Sequence, residues 1–372
     1  MVKVIKKAEP RRRKSPSSKQ RRMSPGEFIF RAILVLAALM LFISYLSVYV
    51  SPRIFWVPFF FGLYYIPLAL INLLLLLVAL FRRSAAFLIP ALALLPSIFF
   101  AEEFVKFGKD PAEPSADCIS IMTYNVGRYV AGSEPSGKAG NQESLKNFMA
   151  SENPDVVCLQ EFYIDDTLNL SRVLPDYPYH YSHLYRSDGG FSGNLTLSRF
   201  PIVGGESFNF SGSSNMFIST DIEVGARILR IFNCHLESYG ISFTSLIKKL
   251  SDKEYFADEI LQLHEHLRSG CLKRTEQVDS LASLCVLSPY PVTVCGDFND
   301  TPVSYAYHSL LKGKKDAFVE SGSGLSSSYS AFWPLLRIDY VLIPEEYRSS
   351  QYKVARVPYS DHYPVITTIC FD

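Results

Sequence analysis

The chain has 372 residues, enough for two domains, and its formal net charge of +1 hides an uneven distribution of charge. Residues 102–372 hold 23 Lys or Arg against 34 Asp or Glu, a net charge of −11. Proteins that bind duplex DNA neutralise its phosphates with basic surface, so this balance counts against a general nuclease.

The chain begins with a basic segment. Residues 1–22 carry ten Lys or Arg against a single acid, Glu9, and too few apolar residues to bury a core. We therefore assign residues 1–27 to a disordered cytoplasmic tail that sets membrane topology and contacts anionic lipid headgroups. A nucleic-acid-binding arm is the alternative interpretation of this tail.

Residues 28–101 are predicted to form a transmembrane region of about three helices. Phe28–Val50 and Phe59–Phe81 are each long enough to cross the hydrocarbon layer of roughly 30 Å. Ala85–Ala101 is shorter and contains two prolines, so a re-entrant or interfacial segment is its alternative. A cleavable signal peptide is excluded, because the basic region is too long and the apolar runs are repeated.

The positions of Lys and Arg predict the orientation of these helices. The basic tail and the Arg82-Arg83-Ser84 turn are expected in the cytoplasm, and the Ser51–Pro58 turn outside it. Three crossings place the C-terminal part of the chain outside the cytoplasm, whereas two crossings would leave it inside. We expect a multi-pass protein of the cell (inner) membrane with its large domain outside the cytoplasm.

After a linker at residues 102–116, residues 117–372 mix strand-like and helix-like patterns, which is typical of α/β layering. Ser144–Glu152 and Ser245–Leu284 have helical character, and Arg227–Cys234 has the composition of a buried strand. The charged stretch 240–270 is interpreted as a helical insertion beside the site. Arg274 and Gln277 follow it at helical spacing and are expected to brace the fold.

An acid and an amide follow the apolar run Thr293–Cys295, two positions apart. Alternate side chains of a strand point to the same face, so Asp297 and Asn299 are expected to reach one ligand together. Gly296 would let the backbone come close to that ligand.

Four more apolar runs end in oxygen or imidazole groups. These groups are Asn125, Glu161, His235 and the pair Asp361–His362. Such ligands at five strand ends of one domain predict a hydrolase built around a hard cation.

In order and spacing, these residues resemble the endonuclease/exonuclease/phosphatase superfamily over about residues 117–372. Gly193–Ile202 and Arg337–Leu342 also carry the resemblance. It implies an α/β four-layer sandwich, two packed mixed β-sheets flanked by helices, here preceded by N-terminal transmembrane helices. It also implies phosphoester hydrolysis, but nucleases, sphingomyelinases and inositol-phosphate phosphatases share this machinery, so the substrate stays open.

The predicted cation is Mg²⁺, with Mn²⁺ as the alternative. Glu161 is the best single ligand, because a carboxylate that ends an apolar strand is costly without a partner. The resemblance implies that Asn125 assists the same metal or contacts the phosphate. Asp361 is expected to reach the metal region, and Asn194 is expected to bind substrate.

The remaining polar groups are assigned to proton transfer and phosphate binding. Asp297 is predicted to orient or deprotonate the attacking water, and Asn299 to bind a phosphoryl oxygen. His362 shares proton transfer, with Asp339 as its partner by resemblance. His235 would stabilise the transition state or protonate the leaving group from the other side.

All seven cysteines lie in the C-terminal part, and the chain has no CxxC motif. Core packing is the favoured interpretation for Cys158, Cys234 and Cys295, which lie within apolar runs. An oxidising compartment would permit a bridge between Cys271 and Cys285.

These observations predict a membrane-tethered, metal-dependent phosphoesterase that hydrolyses a small or lipid-borne phosphoester. The expected partners are that substrate and the lipid bilayer, with nucleic acid less favoured and no obligate protein partner inferred. An extracytoplasmic nuclease is the first alternative. A non-catalytic membrane interaction module is the second, and the complete ligand set counts against it.

Overall fold

The computed structural model describes residues 24–107, 117–130, 137–165, 176–187, 189–239, 256–330, 334 and 336–371. Nearly all of the predicted basic tail, most of the predicted linker and the start of the predicted insertion lie outside these ranges. The α-helices of the described residues are α1 (Pro25–Leu46), α2 (Val57–Leu63), α3 (Tyr65–Phe81), α4 (Leu88–Leu94), α5 (Ala101–Phe104), α6 (Gly137–Glu152), α7 (Phe256–Leu287), α8 (Tyr305–Leu311) and α9 (Ala317–Ser321).

The β-strands of the same residues form two large sheets and one short pair. They are β1 (Val105–Lys106), β2 (Cys118–Asn125), β3 (Val156–Ile164), β4 (Tyr179–Ser187), β5 (Gly190–Ser198), β6 (Ile202–Asn209), β7 (Met216–Val224), β8 (Arg227–His235), β9 (Val292–Asp297), β10 (Lys314–Asp316), β11 (Gly324–Leu325), β12 (Asp339–Pro344), β13 (Arg348–Val354) and β14 (Val365–Cys370). One six-stranded sheet has the order β10-β12-β9-β8-β7-β6, and the other has the order β13-β14-β2-β3-β5-β4.

The two sheets pack face to face, and their inner faces form one apolar core. Ile121 and Cys158 of one sheet lie in the same buried cluster as Ile231, Cys295 and Val341 of the other. Helices cover the outer faces: α6 packs on β2, β3 and β5, while α7 and α8 pack on the other sheet. The predicted four-layer α/β sandwich is confirmed. Because both faces of the central strands are buried, these strands read as continuous apolar runs in the sequence.

The sheets are mixed, and the parallel pairs determine where polar strand ends meet. β2 pairs with β3 in parallel, and β8 pairs with β9 in parallel, so that His235 lies opposite Asp297. β12 runs antiparallel to β9 and brings Asp339 opposite Asp297. Since carboxyl ends of parallel strands meet at one edge, most of the predicted site residues converge there.

The cysteines only partly follow prediction. Cys158 and Cys295 are fully buried between the sheets and Cys234 is buried under α7, so their packing role is confirmed. The bridge considered between Cys271 and Cys285 is wrong: both are free thiols of the single helix α7, which holds them far apart. A disulfide instead joins Cys118 of β2 to Cys370 of β14.

The N-terminal apolar segments are less regular than predicted. Within the described residues, α1 is the one helix long and apolar enough to cross a membrane. The predicted span Phe59–Phe81 is not one straight helix, because α2 and α3 meet at a bend of 71° and form a second candidate only if the pair counts as one span. Ala85–Phe99 is a shorter apolar stretch. The ring of Pro67 would clash with the carbonyl of Leu63, which explains the break between α2 and α3.

The helices α1 to α4 pack together as a helical bundle, and the two ends of this bundle have different neighbours. At one end Glu27, in the first turn of α1, lies 3.5 Å from Arg82, which follows α3. At the other end the Ser47 hydroxyl donates a 2.8 Å hydrogen bond to the Val303 carbonyl of the sandwich. Gly62 packs into the same contact, where a Cβ atom would lie 2.7 Å from that carbonyl oxygen.

The first residues of the predicted linker are part of the sandwich. β1 pairs with β11 through Val105 and Leu325. The Arg337 guanidinium donates to the Glu103 carbonyl at 3.1 Å, and the Ser326 hydroxyl donates to the same carbonyl at 3.0 Å. The helical bundle is therefore continuous with the sandwich at this point, and the predicted domain boundaries stay a prediction.

Candidate active site

The site is built on the adjacent ends of β8 and β9. Asp297 ends β9 and is almost completely buried, and His235 ends β8 directly beside it. Gly296 has a φ of 129°, and a Cβ atom there would lie 2.0 Å from the Cys234 carbonyl oxygen. Glycine is therefore required for this close approach of the two strands.

Asn125 connects the carboxylates of both sheets. Its side-chain amide donates to Oδ2 of Asp297 at 3.0 Å and to Oε1 of Glu161 at 3.3 Å. Its side-chain oxygen accepts from the backbone N–H of Gly127 at 3.0 Å. Asn125 thus holds two acids of the site at a fixed separation.

Glu161 lies within β3 rather than at its end, which corrects the prediction. It falls in an irregularity of the β3–β5 pairing, between Leu159 and Phe162, and has a φ of 49°. A left-handed conformation is unusual for a residue with a Cβ atom and is typical of sites where a side chain must be aimed. Its side chain is 32% exposed, so its carboxylate reaches the surface of the site.

His235 faces both of these acids. Its Nε2 atom lies 3.5 Å from Oε1 of Glu161 and 3.9 Å from Oδ2 of Asp297. The imidazole is therefore placed to donate or accept a proton across the opening between the two carboxylates.

His362 and Asp339 form a buried pair on the other side of Asp297. Nδ1 of His362 lies 2.9 Å from Oδ2 of Asp339, and its Nε2 lies 3.7 Å from Oδ2 of Asp297. Burial lowers the pKa of His362, but the charges of Asp339 and Asp297 outweigh burial and raise it to about 10. The raised pKa favours an imidazolium at His362. Its contact with Asp339, the partner assigned by resemblance, is confirmed.

Asn299 lies beside Asp297, but it does so because the chain turns after β9 and not because the two are alternate residues of one strand. It follows the end of β9 with a φ of 52°. Its amide donates to the Leu236 carbonyl at 2.9 Å and to Oδ2 of Asp297 at 3.2 Å, and its backbone N–H donates to Oδ1 of Asp297 at 2.8 Å. Asn299 therefore fixes the orientation of Asp297.

Asp361 and Tyr329 complete this side of the site. Tyr329 hydrogen-bonds Asp361, and its ring lies 4.9 Å from the His362 imidazole. Burial, followed by the charges of Asp361, Asp297 and Glu161, raises the pKa of Tyr329 to about 12. Sequence reasoning missed Tyr329, which lies in a serine-rich segment with no strand pattern.

A buried amide network lies beneath these groups and joins the sheets. The Gln160 amide donates to Oδ1 of Asn233 at 2.7 Å, and the Asn233 amide donates to the Leu195 carbonyl at 3.1 Å. The Asn194 amide donates to the Asn233 carbonyl at 3.0 Å and more weakly to the Met216 carbonyl at 3.4 Å. Asn194, predicted to bind substrate, is thus held in the floor of the site with its amide nitrogen already engaged.

Arg274 and Gln277 brace the segment that follows β8, as predicted. Gln277 accepts a hydrogen bond of 2.7 Å from the backbone N–H of Glu237. The buried Arg274 donates to the Glu237 carbonyl and to the Tyr239 hydroxyl, and its Nε lies 3.3 Å from Asp300. The helix α7 therefore ties the segments after β8 and β9 together behind the site.

Two sets of side chains could hold a cation. The ligand atoms of Asp297, Asp339 and His362 all lie within 4.8 Å of one another, and Oδ1 of Asp339 has no hydrogen-bond partner among the described residues. The partly exposed carboxylate of Glu161, with Asp361 and Asn125, is the set predicted from the sequence. Carboxylate oxygens suit a hard divalent cation, so the acids of both sets fit one chemically. An imidazolium at His362 has no lone pair for a cation, which counts against the first set.

Two family models match the chain, one over the sandwich and one over the N-terminal helices. The model of the Endonuclease/Exonuclease/phosphatase family matches residues 122–362, and that of a domain of unknown function (DUF8431) matches residues 27–104. A search of curated proteins gave no match.

Two solved structures are similar in fold. An endonuclease/exonuclease/phosphatase from Beutenbergia cavernae DSM 12333 is 19% identical, with 68% of this chain and 72% of that chain covered and a TM-score of 0.51. D. rerio TDP2 complexed with single strand DNA product is 17% identical, with 68% of this chain and 98% of that chain covered and a TM-score of 0.50.

Proposed function

The chain belongs to the endonuclease/exonuclease/phosphatase family, and we propose that it is a membrane-tethered, metal-dependent phosphoric ester hydrolase. Its substrate is a small or lipid-borne phosphoester. The observation that carries this proposal is the constellation at one edge of the sandwich. Asn125 bridges the carboxylates of Glu161 and Asp297, and a histidine flanks them on each side.

The cation is assigned to Glu161 and Asp361, with Asn125 beside them. The alternative set contains the 2.9 Å contact between His362 and Asp339, which a cation there would have to break. Mg²⁺ suits the oxygen ligands at Glu161, with Mn²⁺ as the alternative. When bound, the metal would neutralise charge on the phosphoryl oxygens and help to ionise a water.

The residues of the chain perform the proton transfers. Asp297, held by Asn125 and Asn299, accepts a proton from the attacking water at Oδ2 or Oδ1. His362 carries positive charge beside Asp297, fixed in orientation by Asp339, and stabilises the charge that develops on the phosphoryl group. His235 lies across the opening and donates a proton to the leaving oxygen.

Two residues predicted to bind substrate have more modest roles in this proposal. The amide of Asn299 already donates to the Leu236 carbonyl and to Asp297. Asn299 is therefore assigned to orient Asp297, the general base, rather than to bind a phosphoryl oxygen. The amide nitrogen of Asn194 is engaged by backbone carbonyls, which leaves its side-chain oxygen as the atom that substrate could approach.

The choice of substrate class rests on charge and on membrane attachment. The net charge of −11 over residues 102–372 disfavours duplex DNA. The apolar helix α1 and the bent pair α2–α3 contact the same end of the sandwich that carries the segments after β8 and β9: Phe59 lies 5.9 Å from Tyr239, and Ser47 bonds Val303. A bilayer around these helices would lie close to the site, which favours substrates presented at its surface.

A phosphoester screen tests the proposal. The full chain in detergent is offered soluble phosphomonoesters, phosphodiesters, phospholipids and plasmid DNA, each with Mg²⁺ and with EDTA. We expect Mg²⁺-dependent release from a small or lipid-borne phosphoester and loss of that activity in the Asp297→Asn variant. Faster cleavage of DNA at matched salt would favour the nuclease alternative. No Mg²⁺-dependent hydrolysis of any substrate would favour the non-catalytic module.

A further inference from the structure

A cavity of about 580 Å³ lies where the N-terminal helices meet the sandwich, and its lining includes none of the active-site residues. Ile98 and Phe99, from the end of the last apolar segment, contribute to its wall together with Leu311 of α8. The charged side chains of Lys314 and Lys315 on β10 also line it. The cavity therefore offers apolar surface, two lysine ammonium groups and four acidic side chains to the same ligand.

The cavity also contains a buried acid with an unsatisfied atom. Glu103 is only 8% exposed, and its Oε2 has no hydrogen-bond partner among the described residues. Its Oε1 lies 3.6 Å from Nε2 of His308, and its backbone carbonyl is fixed by Arg337 and Ser326. Leaving a buried oxygen of a carboxyl group unpaired is unfavourable, so a donor supplied by a ligand would stabilise this arrangement.

The other acids lining the cavity already have partners. The carboxylate of Glu102 lies 2.7 Å from Lys106, and that of Asp316 lies 2.6 Å from Arg337. Glu320 lies 3.1 Å from Lys315. Glu103 is therefore the lining acid with an oxygen that is unpaired among the described residues. Burial raises the pKa of Glu103 to about 9, so a cationic donor beside that oxygen would favour its ionised form.

Lys314 is the complementary cation of the cavity. Its Nζ makes a long contact of 3.5 Å with the Lys312 carbonyl and a hydrogen bond with the Cys285 thiol, and neither contact is an ion pair. It can therefore turn toward an anionic group without breaking an ion pair described here.

The exposed apolar residues indicate the source of the ligand. Ile98 is 66% exposed and Phe99 is 83% exposed, at the point where the last apolar segment joins the sandwich. In the membrane orientation proposed above, on which this inference rests, these residues lie at the boundary between the lipid headgroups and the acyl chains. We propose that the cavity binds an aminophospholipid, with its primary ammonium at Glu103, its phosphate at Lys314 and Lys315, and its acyl chains against Ile98 and Phe99.

A pair of lipids that differ only in the ammonium group tests this site. The full chain is placed in nanodiscs of equal parts phosphatidylethanolamine and phosphatidylcholine with identical acyl chains, in EDTA so that no lipid is hydrolysed. Lipids retained by the protein are then counted by native mass spectrometry. A primary ammonium can donate to Glu103 whereas a trimethylated one cannot, so we expect about tenfold enrichment of phosphatidylethanolamine. Equal retention of the two lipids, or retention of neither, would overturn the proposal.

Variants connect the preference to the cavity. Glu103→Gln keeps the side-chain volume and should bring the enrichment close to one, while the exposed Glu346→Gln serves as control and should keep it. Lys314→Met should reduce retention of both lipids and leave their ratio unchanged. Enrichment that survives in Glu103→Gln would place the lipid elsewhere. Because retention is read without turnover, failure of this site and failure of the proposed hydrolase are separate results.

Discussion

Glu161 combines a left-handed backbone, a partly exposed carboxylate and two polar neighbours, Asn125 and His235. Glu161→Gln keeps the volume and removes the charge that should hold the cation. Loss of a residue that only hydrogen-bonds a metal ligand typically lowers metal affinity by about 10–100-fold. We expect Glu161→Gln to lower the Mg²⁺ affinity by more than that. Calorimetric titration measures this, with Glu152→Gln, whose carboxylate pairs with Lys353, as control. Parent-like Mg²⁺ binding in Glu161→Gln would contradict the assignment.

Asp297 and His362 are predicted to act on proton transfer and developing charge rather than on metal binding. Asp297→Asn and His362→Ala should each lower kcat by about 10²–10⁴-fold while leaving Mg²⁺ affinity nearly intact. Because their charges interact across 3.7 Å, the double variant should lose less than the product of the two single losses. Steady-state kinetics of the three variants measure this. Full turnover in His362→Ala would show that the assignment is wrong.

Some of these residues could be found from the sequence, and others could not. Asn125, His235 and Asp297 follow apolar runs, and a polar group in such a place must have a partner. The conformation of Glu161 could not be predicted, because a strand irregularity depends on the pairing with β5. No strand or helix pattern in the sequence surrounds Tyr329. Its position beside His362 comes from tertiary contacts alone, so it could not be predicted.

At the level of elements, the disulfide joins two neighbouring strands that are 252 residues apart in the chain. Sequence spacing could not identify this pair, because it depends on the register that places Cys118 opposite Cys370. The bend between α2 and α3 did have a local signal in Pro67, but hydropathy over a whole window averages such a signal away.

The disulfide closes nearly the whole sandwich into one loop. Its removal in Cys118→Ser should therefore destabilise the fold, by about 2–5 kcal/mol on the scale of native disulfides. Thermal unfolding of the full chain, with and without reductant, measures the change. Cys285→Ser removes a free thiol of α7 and is the control, which should keep the parent Tm. A parent Tm that reductant does not change would show that the bond contributes nothing.

For the whole molecule, contacts between the helical bundle and the sandwich would determine how the site lies relative to a membrane if the chain is tethered as proposed. Ser47 and Glu103 contact the sandwich, while Glu27 and Arg82 meet at the opposite end of the bundle. Along the chain, the helical segments therefore run alternately toward the end of the bundle that contacts the sandwich and toward the opposite end. Three passages between the two ends are consistent with this alternation, although α1 is the one uninterrupted helix of sufficient length among the described residues.

We expect the N-terminus inside the cytoplasm and residue 372 outside it, because the basic tail and the Arg82-Arg83 turn are retained on the cytoplasmic side. A phosphatase reporter active only outside the cytoplasm, fused after residue 372, should therefore be active. The same reporter fused after Arg83 is the matched control and should be inactive. If a reporter that fluoresces only in the cytoplasm lights up at residue 372, the segment 85–101 does not cross. The site would then face cytoplasmic rather than extracytoplasmic phosphoesters, and the conditions that favour the Cys118–Cys370 disulfide would be absent.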